Sequence, residues 1–542
     1  METRNILIAT LGDHPAVITA GVSALDKLAK IPIHCVHVIH PQDSGKFIGR
    51  EGFGLVKQHL QGQCDVRSVP LPFADANSTA TSVQFLQILT GVLEQYRDEQ
   101  AFRVYLLLSG GRKNMAALMA LVTQFFGSVR GLYHLTDRKE ETHNPLFPSI
   151  EQMELGMTEA EVVATLSPPL DRLNLISIPF PGALASSTEL WRALKSFELE
   201  EKAVPLLLSP EAERFFRQIF QPQSSGSTLD VWLSRTAHQR LQSWGEGSVH
   251  AKEFLTCFEH MQDPNMLKAR VHGTFDQFSF FKRRRTQERP FFFTEPNPIV
   301  LYPEKTVERV IVCDLAVEQG NGQYDPTAEG ILANIDDAPY IHLSDLNRRD
   351  LTLLVPLGTS PMIATQTYTL LSKHEAEGKP RIPVVALFYP AQNPVIGNVA
   401  RLLNRQFERR GVTVKDFPIE HLRDLDSKDA CDTYLDALLK AIDKLRNDHP
   451  DRQVALSLSG GRKGMSALAY FAAQYAGIDR VFHTLITDVA IERQIELDMT
   501  FQALNKLPSD DARARRLFLE EYDQSKFELF AIPVIPFERA TT

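Results

Sequence analysis

Cysteine is scarce in this chain, with five in 542 residues. Cys35, Cys64, Cys257, Cys313 and Cys431 are scattered and form no C-x-x-C pair, so neither a zinc site nor a disulfide framework is written in the sequence. Reduced, mostly buried thiols are expected, and no metal site. There is also no apolar run near the roughly 20 residues that a membrane-spanning helix needs. The start, METRNILIATLG, passes straight into a strand pattern and lacks the apolar region and cleavage site of a signal peptide. A cytoplasmic protein with no membrane partner is the expectation. Positive charge is in deficit as well. The formal charge of −9 argues against indiscriminate nucleic-acid binding, although a whole-chain value can conceal a basic patch. The hydrophobic share of 43% and charged share of 23% are those of a globular protein. The length exceeds one ordinary core and suggests about two to four domains.

What is present is repetition. NILIATLGDHPAVITAGVSAL (5–25) and LTLLVPLGTSPMIATQTYTLL (351–371) each read as an apolar run, a Gly turn and a helix-like stretch. Gly12, Pro15 and Thr19 correspond to Gly358, Pro361 and Thr365 at one offset. Next come IPIHCVHVIHP and IPVVALFYP, continuous apolar runs of the kind expected for strands covered on both faces. CDVRSVPLP then matches VTVKDFPIE, and a long amphipathic helix follows in each half. VYLLLSGGRK matches VALSLSGGRK, and GLYHLTD and VFHTLITD supply a further strand each. Alternating strand and helix patterns imply parallel sheets. The expected fold class is α/β, with two Rossmann-like domains at 1–182 and 345–542. A helical connector at 183–226 and a small α+β domain at 227–335 lie between them.

The repeated turn is suited to an anion. Ser109, Gly110, Gly111, Arg112 and Lys113, and likewise Ser459, Gly460, Gly461, Arg462 and Lys463, end a strand. The glycines let the backbone bend and bring amides close to a phosphate, and two cations follow at a helix start. The turns after the first strands carry Gly12, Asp13 and His14, or Gly358, Thr359 and Ser360, and lie at the same carboxyl end of the sheet, where open parallel sheets bind ligands. The bland alternative is a tight turn with solvated charges. Duplication weighs against it, because two related sheets can face each other about a pseudo-twofold axis and meet a symmetric polyanion.

The G-x-x-P turn together with the S-G-G-R-K turn resembles the CRISPR-associated Rossmann fold, the CARF domain, which senses cyclic oligoadenylates made by type III CRISPR complexes. The resemblance covers both repeated halves. It implies that Gly12, Asp13, Gly358, Thr359, Ser360 and both S-G-G-R-K turns line the signal site, with cyclic tetra-adenylate as activator and no cofactor. Most relatives build that site from two subunits. Here both halves lie in one polypeptide, so an asymmetric, intramolecular pair is expected, in a monomer or a homodimer. Asp13 is a poor neighbour for phosphate. Some relatives cut their own signal, for which Lys113, Lys463, Ser109 and Ser459 are candidates.

Between the halves, SSTELWRALKSFELEEKAVPLLLSPEAERFFRQIF reads as helical and PQSSGS as a linker. LDVWLSRTAHQRLQSWG starts as a strand and passes into a helix; VHAKEFLTCFEHM, a second helix, ends at Asp263-Pro264. Three strand-like runs follow, LKARVHGTFDQFSFFKRRR, ERPFFFTEPNPIVLY and VERVIVCDLAVEQGNGQY. Residues 267–289 hold seven cations against Asp276 and Glu288, a footprint for a phosphate backbone. The interleaved phenylalanines read mainly as core.

This order resembles the RelE family of messenger-RNA interferase toxins, whose members cut mRNA in the ribosomal decoding site. The resemblance implies a metal-independent endoribonuclease acting on mRNA at the ribosome. By position, His272, Lys282, Arg283, Arg284 and Arg285 are candidates for base and electrostatic roles, Arg289 for a phosphate clamp on the sheet's concave face, and Tyr324 for stacking or proton transfer. RelE-like toxins commonly place an Arg before the last-strand aromatic, whereas this chain has Glu318, Gln319 and Asn321 before Tyr324. Two other readings stay open. In one, the middle domain is catalytically degenerate and the chain sequesters or linearises its signal. In the other the output is a HEPN ribonuclease, whose Arg-to-His spacing occurs only from Arg138 to His143, in a charged turn.

Overall fold

The repeats fold as two copies of one sheet. The computed structural model describes residues 3–41, 49–139, 146–200, 206–207, 210–219, 229–245, 248–275, 278–283, 286–296, 308–318, 340–343, 350–373, 381–449 and 452–538. In the first half, β1 (Arg4–Thr10), β2 (Cys35–His40), β3 (Asp65–Pro70), β4 (Phe102–Leu107), β5 (Val129–Asp137) and β6 (Leu173–Ser177) lie in the order β3-β2-β1-β4-β5-β6. Strands β1 to β5 are parallel, and β2 is buried along its whole length, as its continuous apolar run requires. The sheet does not stop at GLYHLTD. An antiparallel strand, β6, pairs Tyr133 with Ser177 and Asp137 with Leu173.

After β6 comes the connector, which packs into the cores. Leu190 and Leu194 of the helix Ser187–Glu200 and Phe216 of the helix Pro210–Ile219 belong to the same hydrophobic cluster as the two sheets' facing sides. Phe216 stacks on Tyr475 at 4.0 Å between ring centroids. The short β7 (Leu206–Leu207) is parallel to β20 (Phe537–Glu538) at the other end of the chain.

The middle sheet is mixed rather than purely antiparallel. Its strands are β8 (Asp230–Leu233), β9 (Val271–Phe275), β10 (Phe278–Phe281), β11 (Glu288–Pro296), β12 (Glu308–Val317) and β13 (Ile341–His342), in the order β13-β8-β12-β11-β10-β9. Strands β9 to β12 form an antiparallel meander, while β8 runs parallel to β12. Three helices, not two, separate β8 from β9: Arg235–Ser243, Val249–Met261 and Pro264–Arg270. The third takes the Leu267–Arg270 stretch that reads as strand, because Asp263 caps Asn265 and Met266 amides and Pro264 stands in the first turn, where its missing N–H costs nothing. Phe281 and Phe292 are buried in the main core of this domain, whereas the adjacent Phe291 is buried in a second, smaller cluster with Cys313 and Ala316. The PQSSGS segment, Arg284, Arg285 and Tyr324 lie outside the described residues.

The last sheet repeats the first. The strands β14 (Asp350–Pro356), β15 (Arg381–Pro390), β16 (Thr413–Ile419), β17 (Gln453–Ser457), β18 (Val481–Ile486) and β19 (Phe527–Ala531) lie in the order β16-β15-β14-β17-β18-β19, again with an antiparallel final strand. Each half then contributes a helix that is apolar all round and therefore buried all round. Every residue from Asn114 to Val122 is buried in one, and from Gly464 to Ala476 in the other. The two pack against each other. Each buried Leu, Met or Phe on them stabilises the pairing by about 1.5–3 kcal/mol. A buried polar tie joins the ends of these helices, Gln124 Nε2 donating to Gln474 Oε1 at 2.7 Å. Among the described residues, no helix is long and apolar enough to cross a membrane, and no group of three or more His, Cys, Asp or Glu is placed to hold a metal. All five cysteines are free and four are buried.

Candidate functional site

The helix seam brings the two S-G-G-R-K turns together. In each turn the second glycine is left-handed, Gly111 at φ +64° and Gly461 at φ +70°. The first glycine is required by a close approach: a Cβ on Gly110 would stand 1.5 Å from the Thr10 carbonyl oxygen, and one on Gly460 would stand 1.6 Å from that of Pro356. The turn after β4 is thus pressed on the end of β1, and the turn after β17 on the end of β14. Gly12 and Gly358 are part of the same nesting, their Cβ positions 3.1 Å from the amide nitrogens of Gly111 and Gly461. This is the physical reason that the two motifs occur together.

The serines face inward. The Ser109 hydroxyl accepts the Leu135 N–H at 2.5 Å and lies 3.1 Å from His134 Nδ1. Ser459 accepts the Thr484 N–H at 2.7 Å and lies 3.2 Å from His483 Nδ1. Both serines therefore hold the turn onto the neighbouring strand. The histidines were not singled out in the sequence, although they stand at matching places in GLYHLTD and VFHTLITD. Burial pushes each down to about 3, helped by the cations of the opposite half: Lys463 and Arg462 for His134, Lys113 and Arg112 for His483. Both rings are neutral. His134 Nε2 is buried and has no hydrogen-bond partner among the described residues.

The lysines cross over. Lys113 Nζ donates to the Ser459 carbonyl at 2.5 Å, and Lys463 Nζ donates to the Ser109 carbonyl. Each cation thereby closes the other half's turn. Burial lowers Lys113 to about 8, and burial with repulsion from Lys113 and Arg112 lowers Lys463 to about 7. The arginines are held by carboxylates. Arg112 pairs with Asp75 at 3.0 Å and, across the seam, with Glu492 at 3.0 Å. Burial works against its charge, but the two acids outweigh it and hold the guanidinium above its ordinary range. Arg462 pairs with Asp424 at 2.6 Å, and burial lowers it. A cleft of about 220 Å³ opens here, lined by Gly12, Asp13, Asp75, Gly111, Arg112 and Lys463 among others. Asp13 keeps a solvent-facing edge at its rim. Desolvation raises its carboxyl, with His14 and Arg112 pulling the other way. Thr359 and Ser360 occupy the corresponding rim of the second half and are at least partly exposed.

The middle domain places its candidates less openly. Arg289 is 1% exposed; its guanidinium donates to the Thr286 and Glu288 carbonyls at 2.8 Å each and pairs with Glu318. It is not the open phosphate clamp that its sequence position suggests. The register explains why: Glu288 stands opposite Val317, so Glu318 falls beside the start of β11. Lys282 Nζ is 3.9 Å from the same Glu318, and Arg283 pairs with Glu253 at 2.7 Å. His272 lies in β9, but its side chain is outside the described residues, as are Arg284, Arg285, Tyr324 and His143. Arg289→Ala is expected to destabilise the middle domain by about 2–4 kcal/mol through the unpaired Glu318, so a melt showing an unchanged transition would contradict a structural role.

Among solved structures the chain is similar to Enterococcus italicus Csm6 bound to cyclic hexa-2′-fluoro-hexa-dAMP, at 10% identity and a TM-score of 0.25, over 40% of this chain and 50% of that one. The chain thus spans half the length of that structure. It is also similar to a protein described as a UDP-N-acetylglucosamine 2-epimerase from Listeria monocytogenes, at 11% identity and a TM-score of 0.18, covering 97% and 98% of the two chains. E. coli ADP-heptose lps heptosyltransferase II matches at 10% identity and 0.15, covering 95% and 99%. Scores this low leave the fold to be read from the chain's own strand order. No curated protein matches in sequence. The family of CRISPR-associated protein NE0113 matches over residues 14–202 and 399–541, which include both S-G-G-R-K turns and both helices of the seam. With more than half of its length matched, the chain belongs to the family of CRISPR-associated protein NE0113.

Proposed function

We propose that this chain is a cyclic-oligoadenylate-controlled endoribonuclease of type III CRISPR antiviral defence, with paired CARF-type sheets as sensor and a RelE-like middle domain cleaving mRNA at the ribosome. The reciprocal reach of Lys113 and Lys463 carries the sensor reading. Each half's cation meets the other half's turn, so the anion site exists only where the two sheets meet. A ring with phosphates on opposite sides, such as cyclic tetra-adenylate, matches that arrangement. Control then requires the ring to bind one arrangement of the two sheets more tightly than another. The test is purified protein incubated with translating ribosomes, with and without cyclic tetra-adenylate, followed by mapping of mRNA ends. New ends that depend on the ring support the reading, and equal cleavage in both arms rejects the control.

A second reading has one observation in its favour. Glu318 occupies Arg289 and lies near Lys282, so two of the expected catalytic cations are held by an acid. In that case the chain binds or linearises the ring and leaves mRNA intact.

Binding is expected to take up protons. The lysine values of about 8 and about 7 lie below the ordinary 10.5, so a phosphate must recharge whatever fraction is neutral. Affinity should fall as pH rises through about 7 to 8, and calorimetry above that range, in buffers of different ionisation heat, should show net proton uptake. The sign for the ligand-free fold is the converse. The stability these groups contribute is present above pH 10.5 and lost as pH falls through their folded values.

A further inference from the structure

We propose that His250 is the catalytic base of RNA cleavage in the middle domain, with Glu288 as its positioning residue; this rests on the ribonuclease reading above. His250 stands in the first turn of the helix Val249–Met261, which packs on β11. Its Nδ1 lies 2.6 Å from a Glu288 carboxylate oxygen. The His250 side chain is 40% exposed and that of Glu288 only 5%. The other Glu288 oxygen accepts the Gln287 N–H at 3.0 Å, so the carboxylate is fixed from two sides. This geometry puts the imidazole proton on Nδ1 and leaves the Nε2 lone pair without a partner among the described residues.

A purely structural pair is a weaker account. Burying a carboxylate is costly, and a partner that is two-fifths exposed offsets little of that cost. The surroundings suit a phosphodiester. One helical turn on, Glu253 shares the helix face of His250 and holds Arg283 at 2.7 Å. The Lys282 amide donates to the Arg270 carbonyl at 3.2 Å, which joins the cationic end of the helix Pro264–Arg270 to the same strip. The Trp244 ring lies 6.3 Å from the imidazole. A backbone laid along Arg270, Lys282 and Arg283 brings a ribose toward His250.

The step needs no co-reactant. His250 Nε2 takes the proton of a ribose 2′-hydroxyl; the 2′-oxygen attacks phosphorus and the bond to the 5′-oxygen breaks. The leaving oxygen takes a proton from solvent, and the imidazolium returns its proton to solvent. The products are a 2′,3′-cyclic phosphate and a 5′-hydroxyl, and DNA is inert.

The experiment measures cleavage of end-labelled mRNA on translating ribosomes by the full chain with cyclic tetra-adenylate, comparing wild type, His250→Ala and Glu288→Gln. His250→Ala should cut the rate about 100-fold or more, with binding of the ring unchanged and activity partly restored by added imidazole. Glu288→Gln should lose about 10-fold or more. That variant should also lower kcat while leaving KM for RNA and binding of the ring unchanged, which loss of structure alone would not do. Thermal melts verify that each variant is folded, and His250→Gln replaces His250→Ala if the latter is not. Wild-type rates in the His250 variant, or 5′-phosphate ends, overturn this assignment alone. A wild-type protein that binds the ring yet cleaves no RNA overturns the ribonuclease reading and this assignment together.

Discussion

A Lys113→Met/Lys463→Met variant should fold normally and lose cyclic tetra-adenylate almost completely. Each amine sits at the seam with its charge disfavoured by burial, and Lys463 is further repelled by Lys113. Methionine keeps most of the volume while removing that cost, so the carbonyls of Ser109 and Ser459 lose a donor but the seam loses a repulsion. The ligand-free melting temperature is expected to stay within a few degrees, or to rise. Binding behaves in the opposite way. A charge-assisted hydrogen bond to phosphate contributes about 1.5–3 kcal/mol, so two of them correspond to a loss of roughly 10²–10⁴-fold in affinity. Calorimetry against the wild type at neutral pH checks this. Unchanged affinity would remove the turns from the ligand site, and a collapse of the melt without ligand would assign the lysines to folding instead.

The largest structural effect is expected at the first glycine of each turn. Gly110→Ala places a methyl group 1.5 Å from the Thr10 oxygen, and Gly460→Ala places one 1.6 Å from that of Pro356. Neither neighbour is a flexible side chain; each is the backbone end of the strand at the centre of its sheet. The turn must therefore leave β1 or β14, and with it go the nested Gly12 or Gly358, the serine bridge to β5 or β18, and the lysine that closes the opposite turn. A loss above about 4 kcal/mol per variant is expected, in the range reserved for strained backbone and broken networks. Gly91→Ala is the control. It lies on the exposed face of the helix Thr79–Glu94 with nothing within 4 Å of its Cβ position, and should stabilise by about 0.5–1 kcal/mol. Denaturant melts of the three variants give the comparison. A Gly110→Ala melt equal to that of Gly91→Ala would contradict the close approach.

The repeat, the strands and the anion turns are legible in the residues because each is local. A continuous apolar run, a glycine that must bend, and a cation at a helix start act within a few positions. The same order of motifs in both halves therefore predicts the same strand order, and the structure has it twice. Local patterns do not state which surfaces meet. That Lys113 closes the turn of Ser459, 346 residues away, follows only from the packing of those two helices on each other. His134 and His483 become part of the site for the same reason, since each faces cations of the opposite half. In the middle domain, Arg289 has the sequence position of an open clamp, yet the register of β11 on β12 sets Glu318 beside it. His250 and Glu288, 38 residues apart, form a pair only where their helix crosses that strand. Residue types and spacing set the chemistry available to this chain. Sheet register and the seam between the two halves set which charges are held in place and which are left open to a ligand.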